Sequence, residues 1–383
     1  MQTFSLDRKV SSCPCCFREM LLLGVFFSFS APAEEIATVI RSDRLFGPSL
    51  VTNIFKPDGP GPFPVVIINH GWGVERIPSA QLAFRPTMIA AEFMRRNFAV
   101  VVPMRRGFSG SSGAAVGFEN CRLSGFKHAS IDDLKAVVSW VKTRPWADAG
   151  SLLMLGHSAG GLATLAYAST PDPGVRLFIN FSGGLRGGGG CNWESELNTV
   201  VVDYGRGTKQ RTVWFYGSND SFFSASLYRK IFKEYSTVST NSVLYDLGDF
   251  KHDSHLLFSD FDGYPLWRDA FWKEISDAGL AVNEVNLSFG RPPDMQRPPA
   301  SGFAAIDDAQ QIPYISQSAR NAYAQFLSLM LPRAYAISAE GHWAWSTQGA
   351  DAPFRALAAC EAQAGPNRCK LYAVDNDVVW SRQ

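Results

Sequence analysis

The chain has 383 residues, of which 46% are hydrophobic and 19% are charged, and its formal net charge at pH 7 is +1. This balance excludes a mainly disordered chain and provides no electrostatic footprint for nucleic acid or an anionic lipid surface. We therefore expect a globular protein that does not bind nucleic acid and does not insert stably into a membrane.

The first 33 residues have the features of a secretory signal peptide. Residues 20–30 form a continuous apolar run, which is too short to span a bilayer comfortably. Three basic residues precede this run, and the small-x-small sequence APA follows it, ending at Ala33. We expect cleavage after Ala33 and a periplasmic or secreted protein. The alternative is that the apolar run forms a buried first helix.

Four cysteines follow residue 33, and an even number in an exported chain favours disulfide bonds. Cys360 and Cys369 are close in sequence, so we expect them to pair with each other. Cys121 would then pair with Cys191. Four free, buried thiols are the alternative.

From about residue 36 to residue 279, strand-like apolar runs alternate with helix-like segments. Strands are expected at residues 64–71, 99–107, 151–156, 175–184, 212–220 and 242–248. Helices are expected at 80–96, at 130–145 with Ser130 as the N-cap, and after Ser158, Asn192, Ser224 and Gly263. This alternation predicts an α/β fold, a mostly parallel sheet with helices on both faces, whose active site lies beyond the carboxyl ends of the strands.

After residue 280 the character of the sequence changes. Residues 291–302 are rich in proline, and helices are expected at 316–331 and 351–363. We therefore expect four parts: a signal peptide at 1–33, a catalytic domain at 34–285, a proline-rich linker and helix at 286–333, and a small disulfide-containing C-terminal module at 334–383. The last part is expected either to pack on the catalytic domain or to contact the cell envelope.

Residues 156–160, GHSAG, fit the pattern G-x-S-x-G between a predicted buried strand and a predicted helix. A sharp strand-to-helix turn exposes the central side chain, and glycines flank it because a Cβ there would collide with neighbouring backbone. Partial positive charge at the helix N-terminus favours negative charge that develops there. We expect Ser158 to be a nucleophile; a glycine-rich turn with a capping serine is the alternative.

A serine nucleophile needs a histidine base that is oriented by an acid, and in this type of fold the order along the chain is Ser, acid, His. Asp220 follows a predicted strand 62 residues after Ser158, and His255 follows the next strand 35 residues later. We expect these two residues to complete a triad, although Asp220 is also suited to an Asx-type turn. Weaker candidates for the acid are Asp203, Asp246 and Asp249.

His252 lies three residues before His255, and the chain has only six histidines. We expect His252 to be a loop residue near the rim of the pocket. A zinc site built on both histidines is the alternative, but such a pair needs further ligands. No metal and no cofactor is therefore expected.

An oxyanion needs two N–H donors, and we expect the backbone amides of Ala159 and Trp72 to supply them. His70 is expected to support the loop that carries Trp72. Gly73 in the same loop and His157 are expected to border the substrate, with packing or polar support as the alternative for His157.

Arg106 lies near the end of the strand-like run at 99–107, where it is suited to bind a substrate carboxylate. Its alternative role is to tie loops together. The glycine-rich segment at 183–191 lacks the G-K-[ST] ending of a phosphate-binding loop, so we expect a flexible loop near the mouth of the site.

Taken together, the segments NHGWG, MRRGFSGSSG, GHSAGG, GSND and DSHLLF resemble the α/β-hydrolase superfamily, and within it secreted bacterial proteins of the dienelactone-hydrolase type. The resemblance covers roughly residues 35–279. It implies Ser158 as nucleophile, Asp220 as acid and His255 as base. Dienelactone hydrolases of the founding type use a cysteine nucleophile, so the serine here argues against dienelactone as the substrate. The C-terminal part resembles an extension that recurs in such exported hydrolases.

We therefore expect an exported serine hydrolase, similar to carboxylesterases, that cleaves a small-molecule ester through an acyl-enzyme. A serine peptidase of the prolyl-oligopeptidase kind is the first alternative, because the same residues cleave amides. A non-catalytic protein that binds the cell envelope with a hydrolase-like fold is the second.

Overall fold

The computed structural model describes residues 34–42, 47–73, 77–81, 83–170, 172–260, 262–287, 298–327, 329, 332–347 and 352–382. The predicted signal peptide lies outside these residues. Within the described ranges, no helix is both long enough and apolar enough to cross a membrane.

Eight strands form the main sheet. They are β1 (Glu34–Arg41), β2 (Ser49–Lys56), β3 (Phe63–Asn69), β4 (Ala99–Pro103), β5 (Ala147–His157), β6 (Val175–Phe181), β7 (Arg211–Tyr216) and β8 (Ser242–Asp246). Their order across the sheet is β1-β2-β4-β3-β5-β6-β7-β8. β2 is antiparallel to its two neighbours, whereas the pairs from β4 to β8 are parallel. The carboxyl ends of the strands from β3 to β8 therefore meet at one edge.

Helices cover both faces of this sheet. They are α1 (Thr87–Arg95), α2 (Ser124–Lys142), α3 (Ala159–Ala168), α4 (Trp193–Gly207), α5 (Ala225–Val238) and α6 (Tyr264–Asp277). Side chains of β3 alternate between the faces: Val65 and Ile67 pack with α2–α5, whereas Val66 and Ile68 pack with α1 and α6. Two apolar layers thus fix the sheet from both sides, which confirms the predicted α/β fold.

Two predicted helix starts are wrong. α2 begins at Ser124, six residues before Ser130, and Ser130 is buried inside the helix, so it cannot be its N-cap. α1 begins only after Pro86, because a proline disfavours the helical conformation of the residue that precedes it. The helices expected after Ser158, Asn192, Ser224 and Gly263 all begin at those points.

The residues after 298 form a second sheet with its own helices. The elements are α7 (Gln317–Leu327), β9 (Arg333–Ser338), β10 (Trp343–Thr347), α8 (Ala352–Ala364), β11 (Cys369–Val374) and β12 (Asp377–Val378). The strand order is β10-β9-β11-β12, and all pairs are antiparallel. Side chains of α7 pack in one apolar cluster of this sheet and side chains of α8 in the other. We call residues 298–382 the extension.

Both expected disulfide bonds are present. Cys121–Cys191 joins the segment before α2 to the segment before α4. Cys360–Cys369 joins α8 to the first residue of β11. The pairing predicted from sequence proximity is therefore confirmed.

Candidate active site

Three polar side chains follow neighbouring strand ends. Ser158 comes directly after β5, Asp220 follows β7, and His255 lies in a short 3₁₀ helix, Ser254–Leu256, beyond β8. Because these strands are parallel, their carboxyl ends place the three residues on the same edge of the sheet. The structure therefore brings the predicted nucleophile, acid and base to one region.

Ser158 occupies a strained turn between β5 and α3. Its backbone has φ 56° and ψ −124°, a conformation that residues with a Cβ rarely adopt. A Cβ on Gly156 would collide with the Gly160 carbonyl, and a Cβ on Gly160 would collide with the Asn69 carbonyl. The glycines of G-x-S-x-G are therefore required by close backbone approach, and the turn presents Ser158 at the N-terminus of α3.

His255 is held by Asp220 in a fixed orientation. Its Nδ1 lies 3.0 and 3.1 Å from the two carboxylate oxygens of Asp220. Nδ1 therefore carries the proton and donates a hydrogen bond to the carboxylate, which leaves Nε2 of the neutral ring as a proton acceptor. This is the arrangement that a general base next to a serine requires.

Asp220 stays ionised although it is buried. The backbone amides of Phe222 and Phe223 donate to its Oδ1 at 2.8 and 3.0 Å. Burial by itself would raise the pKa of the carboxyl, but the hydrogen bond from His255, together with these two amides, outweighs it and lowers the pKa. The acid of the pair is therefore an anion at neutral pH.

His70 fixes the loop that carries Trp72. The ring is buried, its Nδ1 donates to the Gly71 carbonyl at 2.7 Å, and its Nε2 accepts from the Arg105 amide at 3.0 Å. Burial and the nearby Arg105 guanidinium keep the pKa of His70 well below its usual value. A neutral ring with one donor and one acceptor satisfies both contacts, so the tautomer is determined.

This arrangement orients the amide of Trp72. In a trans peptide the carbonyl of one residue and the N–H of the next point in opposite directions. The Gly71 carbonyl is held by His70 and by an Arg105 Nη2 contact at 3.4 Å, so the Trp72 N–H points away from these buried groups. Gly71, Trp72 and Ser158 line the same cavity, and a Cβ on Gly71 would lie only 3.2 Å from the Ser158 Cβ.

Ala159 supplies the second predicted amide. It is the first residue of α3, directly after Ser158, and the first N–H groups of a helix have no partner within the helix. Trp72 lines the same cavity as Ser158, so both predicted donors belong to segments next to the predicted nucleophile. Their placement is compatible with an oxyanion hole.

His157 supports the loop of the base. Its Nε2 donates to the His255 carbonyl at 2.8 Å, and the two rings lie with centroids 4.7 Å apart. Burial and the neighbouring His255 lower the pKa of His157 to about 3, so the ring is neutral at physiological pH. It also lines the cavity, which fits both roles that the sequence left open.

Gly73 lies at the cavity, whereas Arg106 lies outside it. Gly73 lines the cavity, and its amide donates to Gln81 Oε1 at 2.8 Å. Arg106 does not line the cavity, because its guanidinium forms a salt bridge of 2.7 Å with Asp133 and also donates to the Ala129 carbonyl. Arg106 therefore ties its loop to α2, which is the alternative role that the sequence left open, and its predicted contact with substrate in this cavity is not observed.

Asp253 is a supporting residue that sequence reasoning missed. Its Oδ1 accepts from the amides of Ser221 and His255 at 3.0 and 2.9 Å, and its Oδ2 accepts from the Ser221 hydroxyl at 2.7 Å. The carboxylate thus joins the loop of the acid to the loop of the base. An Asp two residues before a histidine at a turn is the only local signal for this role.

The other candidates lie elsewhere. His252 is exposed and does not line the cavity. Asp203 lies within α4 and pairs with Lys127, and Asp246 ends β8 and pairs with Arg229. Within the described part of the chain, no group of three or more His, Cys, Asp or Glu side chains could hold a metal ion.

The cavity at this site has a volume of about 480 Å³. Most of its wall is apolar. The lining residues are Gly71, Trp72, Gly73, Phe84, His157, Ser158, Gly184, Leu185, Arg186, Phe222, Phe223, His255, Leu256, Phe258, Ser259, Leu327, Leu329, Arg333 and Asn376. The last four belong to the extension, and no local pattern in the sequence indicates that they lie here.

The strand order, the strained serine turn and the Asp220–His255 pair together decide the fold type. The chain has the α/β-hydrolase fold. In agreement with this, residues 47–234 match a sequence model of the X-Pro dipeptidyl-peptidase (S15) family. The matched segment contains Ser158 and Asp220 and ends before His255. It spans slightly less than half of the chain.

Solved structures resemble this chain at low sequence identity. A protein assigned as a dienelactone hydrolase from Klebsiella pneumoniae is 17% identical with a TM-score of 0.45, covering 64% of this chain and 99% of its own. A Pyrococcus furiosus esterase is 15% identical with a TM-score of 0.48, covering 64% and 91%. Dipeptidyl peptidase 4 from Porphyromonas gingivalis is 16% identical with a TM-score of 0.47, covering 64% and 36%.

A comparison with curated protein sequences gave no match. The family match and the fold together support a serine hydrolase.

Proposed function

We propose that the protein is an exported serine hydrolase that cleaves carboxylic esters of small, apolar molecules. The observation that carries the proposal is the oriented Asp220–His255 pair at the edge of a cavity that also exposes the strained Ser158. A structural histidine would need no carboxylate partner at the mouth of a pocket, and a structural serine would need no strained backbone.

The reaction follows from these positions. The Ser158 Oγ attacks the ester carbonyl carbon while its proton passes to Nε2 of His255, and the carbonyl π electrons move onto the oxygen. The Trp72 and Ala159 amides donate to this oxyanion. Collapse of the intermediate breaks the bond to the alcohol, which leaves with the proton from His255. Water, deprotonated by His255, then hydrolyses the acyl-enzyme and regenerates Ser158.

The composition of the cavity favours esters over the substrates of a dipeptidyl-peptidase. A dipeptidyl-peptidase must bind the protonated N-terminal amine of a peptide, and a buried ammonium needs an acidic partner. Among the described residues that line the cavity there is no Asp or Glu, and the charged ones are Arg186 and Arg333. A volume of about 480 Å³ also lies in the range of sites for small molecules.

Export is part of the proposal. Disulfide bonds persist mainly in oxidising compartments, and the two bonds here support a periplasmic or extracellular protein. The sequence at 1–33 predicts the signal that would direct it there. Mass spectrometry of the protein purified from its native host should find an N-terminus at Glu34; retention of residues 1–33 would contradict this part.

Kinetics on two substrate panels test the reaction. We expect the protein to hydrolyse p-nitrophenyl esters of short and medium acyl chains, and to leave glycyl-prolyl and alanyl-prolyl p-nitroanilides essentially uncleaved. Ser158→Ala should abolish the ester activity. Faster turnover of the anilides than of every ester would reject the ester proposal in favour of a peptidase.

A further inference from the structure

The extension forms one wall of the active-site cavity. Leu327 ends α7, Leu329 follows it, and both line the cavity together with Ser158 and His255. Arg333 at the start of β9 and Asn376 in the turn between β11 and β12 line it as well. All described residues belong to one compact unit, so this wall is an integral part of the fold.

The buried guanidinium of Arg333 fastens this wall. It donates to the carbonyls of Phe326, Leu327 and Leu329, and the Phe326 and Leu329 contacts measure 3.0 and 3.1 Å. Its Nη2 donates to Asn376 Oδ1 at 3.0 Å. One cation therefore joins the end of α7 to the turn at Asn376, so the two segments cannot separate without breaking several charge-assisted hydrogen bonds.

The two leucines also rest on the core of the extension. Both are partly buried and pack against the apolar cluster that contains Tyr323, Phe326 and Tyr335. A side chain that is supported from behind by a packed core cannot move aside for a ligand at low cost. The leucines therefore present a firm apolar surface to the cavity.

From these contacts we infer that the extension determines substrate specificity. Leu327 and Leu329 bind an apolar group on the acyl or the alcohol side of the substrate, and this group also contacts the apolar residues that the loops of the main sheet contribute to the cavity. Those residues include Leu185 and Phe222. The inference rests on the proposed serine hydrolase function. It predicts esters with an extended alkyl or aryl group as the substrate class.

Active-site labelling with phosphonate probes tests the inference. One probe series carries ethyl or octyl on phosphorus, and the other carries ethyl or octyl on the ester oxygen; p-nitrophenolate is the leaving group in both. Leu329→Trp places a larger side chain in the cavity beside the extension. We expect it to lower the octyl-to-ethyl ratio of labelling rates roughly tenfold in at least one series. Leu329→Ala, which removes bulk, should change the ratio in the same series, and it serves as the second variant if the tryptophan disturbs folding.

Leu266 provides the matched control. It lies on α6, is 50% exposed and does not line the cavity, so Leu266→Trp and Leu266→Ala should keep the wild-type ratio. Unchanged octyl-to-ethyl ratios in both Leu329 variants, with normal labelling of the wild type, would overturn the specificity role alone. If no probe labels the wild type, the proposed function and the specificity role are both overturned.

Discussion

The peptide group between Gly71 and Trp72 depends on one buried, neutral histidine. His70 donates to the Gly71 carbonyl and so holds the Trp72 N–H on the opposite side of this peptide group. A neutral imidazole can make this bond and still accept from the Arg105 amide, whereas a charged one cannot.

His70→Leu should therefore lower kcat more than it raises KM. Loss of one oxyanion donor costs on the order of 100-fold in kcat, and partial misorientation should cost about 10- to 100-fold. Steady-state kinetics on the preferred p-nitrophenyl ester measures both constants. A variant that folds like the wild type and keeps its kcat would show that His70 does not orient the amide.

His157 gives the stability of the protein a pH dependence. Its folded-state pKa of about 3 lies below the ordinary value of 6.5. Between these values the unfolded chain binds a proton that the folded chain does not, so stability is lost as the pH falls below about 6.5. At pH 7 this loss is almost absent.

The variant His157→Gln tests this effect, because a glutamine N–H can still donate to the His255 carbonyl but does not titrate. From pH 7 to pH 5 the wild type should lose up to about 2 kcal/mol more unfolding free energy than the variant. Urea denaturation at both pH values provides the comparison. Because both proteins contain His70, its contribution to the pH dependence of the unfolding free energy cancels. Equal losses in the two proteins would mean that His157 is protonated in the folded state.

At the level of elements, Asp253 holds together the two loops that carry Asp220 and His255. Its carboxylate accepts from Ser221 and His255, and the Asp220–His255 distance depends on how these loops are placed. Asp253→Ala should reduce the unfolding free energy by about 1–3 kcal/mol and should lower kcat. Asp249→Ala in the same loop is the control, because Asp249 is exposed. If both variants show the same kinetics, the loop contact has no functional role.

The disulfide Cys121–Cys191 anchors the segment that leads from β6 to α4 and supplies Leu185 to the cavity. It spans 70 residues, whereas Cys360–Cys369 spans 9. Each bond lowers the conformational entropy of the unfolded chain and so stabilises the folded protein, by about 4 kcal/mol for Cys121–Cys191 and about 3 kcal/mol for Cys360–Cys369.

Replacing both cysteines of one pair by serine should therefore destabilise the protein more at 121 and 191 than at 360 and 369. Unfolding free energies of the two double variants, measured without reductant, give the comparison. A larger loss for the 360/369 variant would contradict loop closure as the main source of stabilisation.

At the scale of the whole molecule, the sequence predicted the features that local patterns determine. Alternating apolar strands and amphipathic helices specify a parallel sheet, and residues after its strand ends meet at one edge. That logic was sufficient to bring Asp220 next to His255, and closeness in sequence was sufficient to pair the four cysteines. The hairpin β1–β2 was missed because polar residues interrupt the apolar residues of both eight-residue strands, which weakens the apolar signal.

Features that depend on remote packing had no local signal. Leu329, Arg333 and Asn376 lie more than 170 residues after Ser158, and nothing in their own sequence places them at its cavity. Arg106 follows a strand end as a binding residue would, but Asp133 on α2 neutralises it. Such partners are fixed only when separate elements pack, so a single sequence does not reveal them.

The central claim is that Ser158, activated by His255, is the nucleophile of this protein. Labelling with a fluorophosphonate, followed by mass spectrometry of the modified peptide, tests it most directly. We predict one adduct on Ser158 in the wild type and in the exposed-loop variant His252→Ala, no adduct in Ser158→Ala, and labelling slowed by several orders of magnitude in His255→Ala. An unlabelled wild type, or an adduct that persists in Ser158→Ala, would contradict the account.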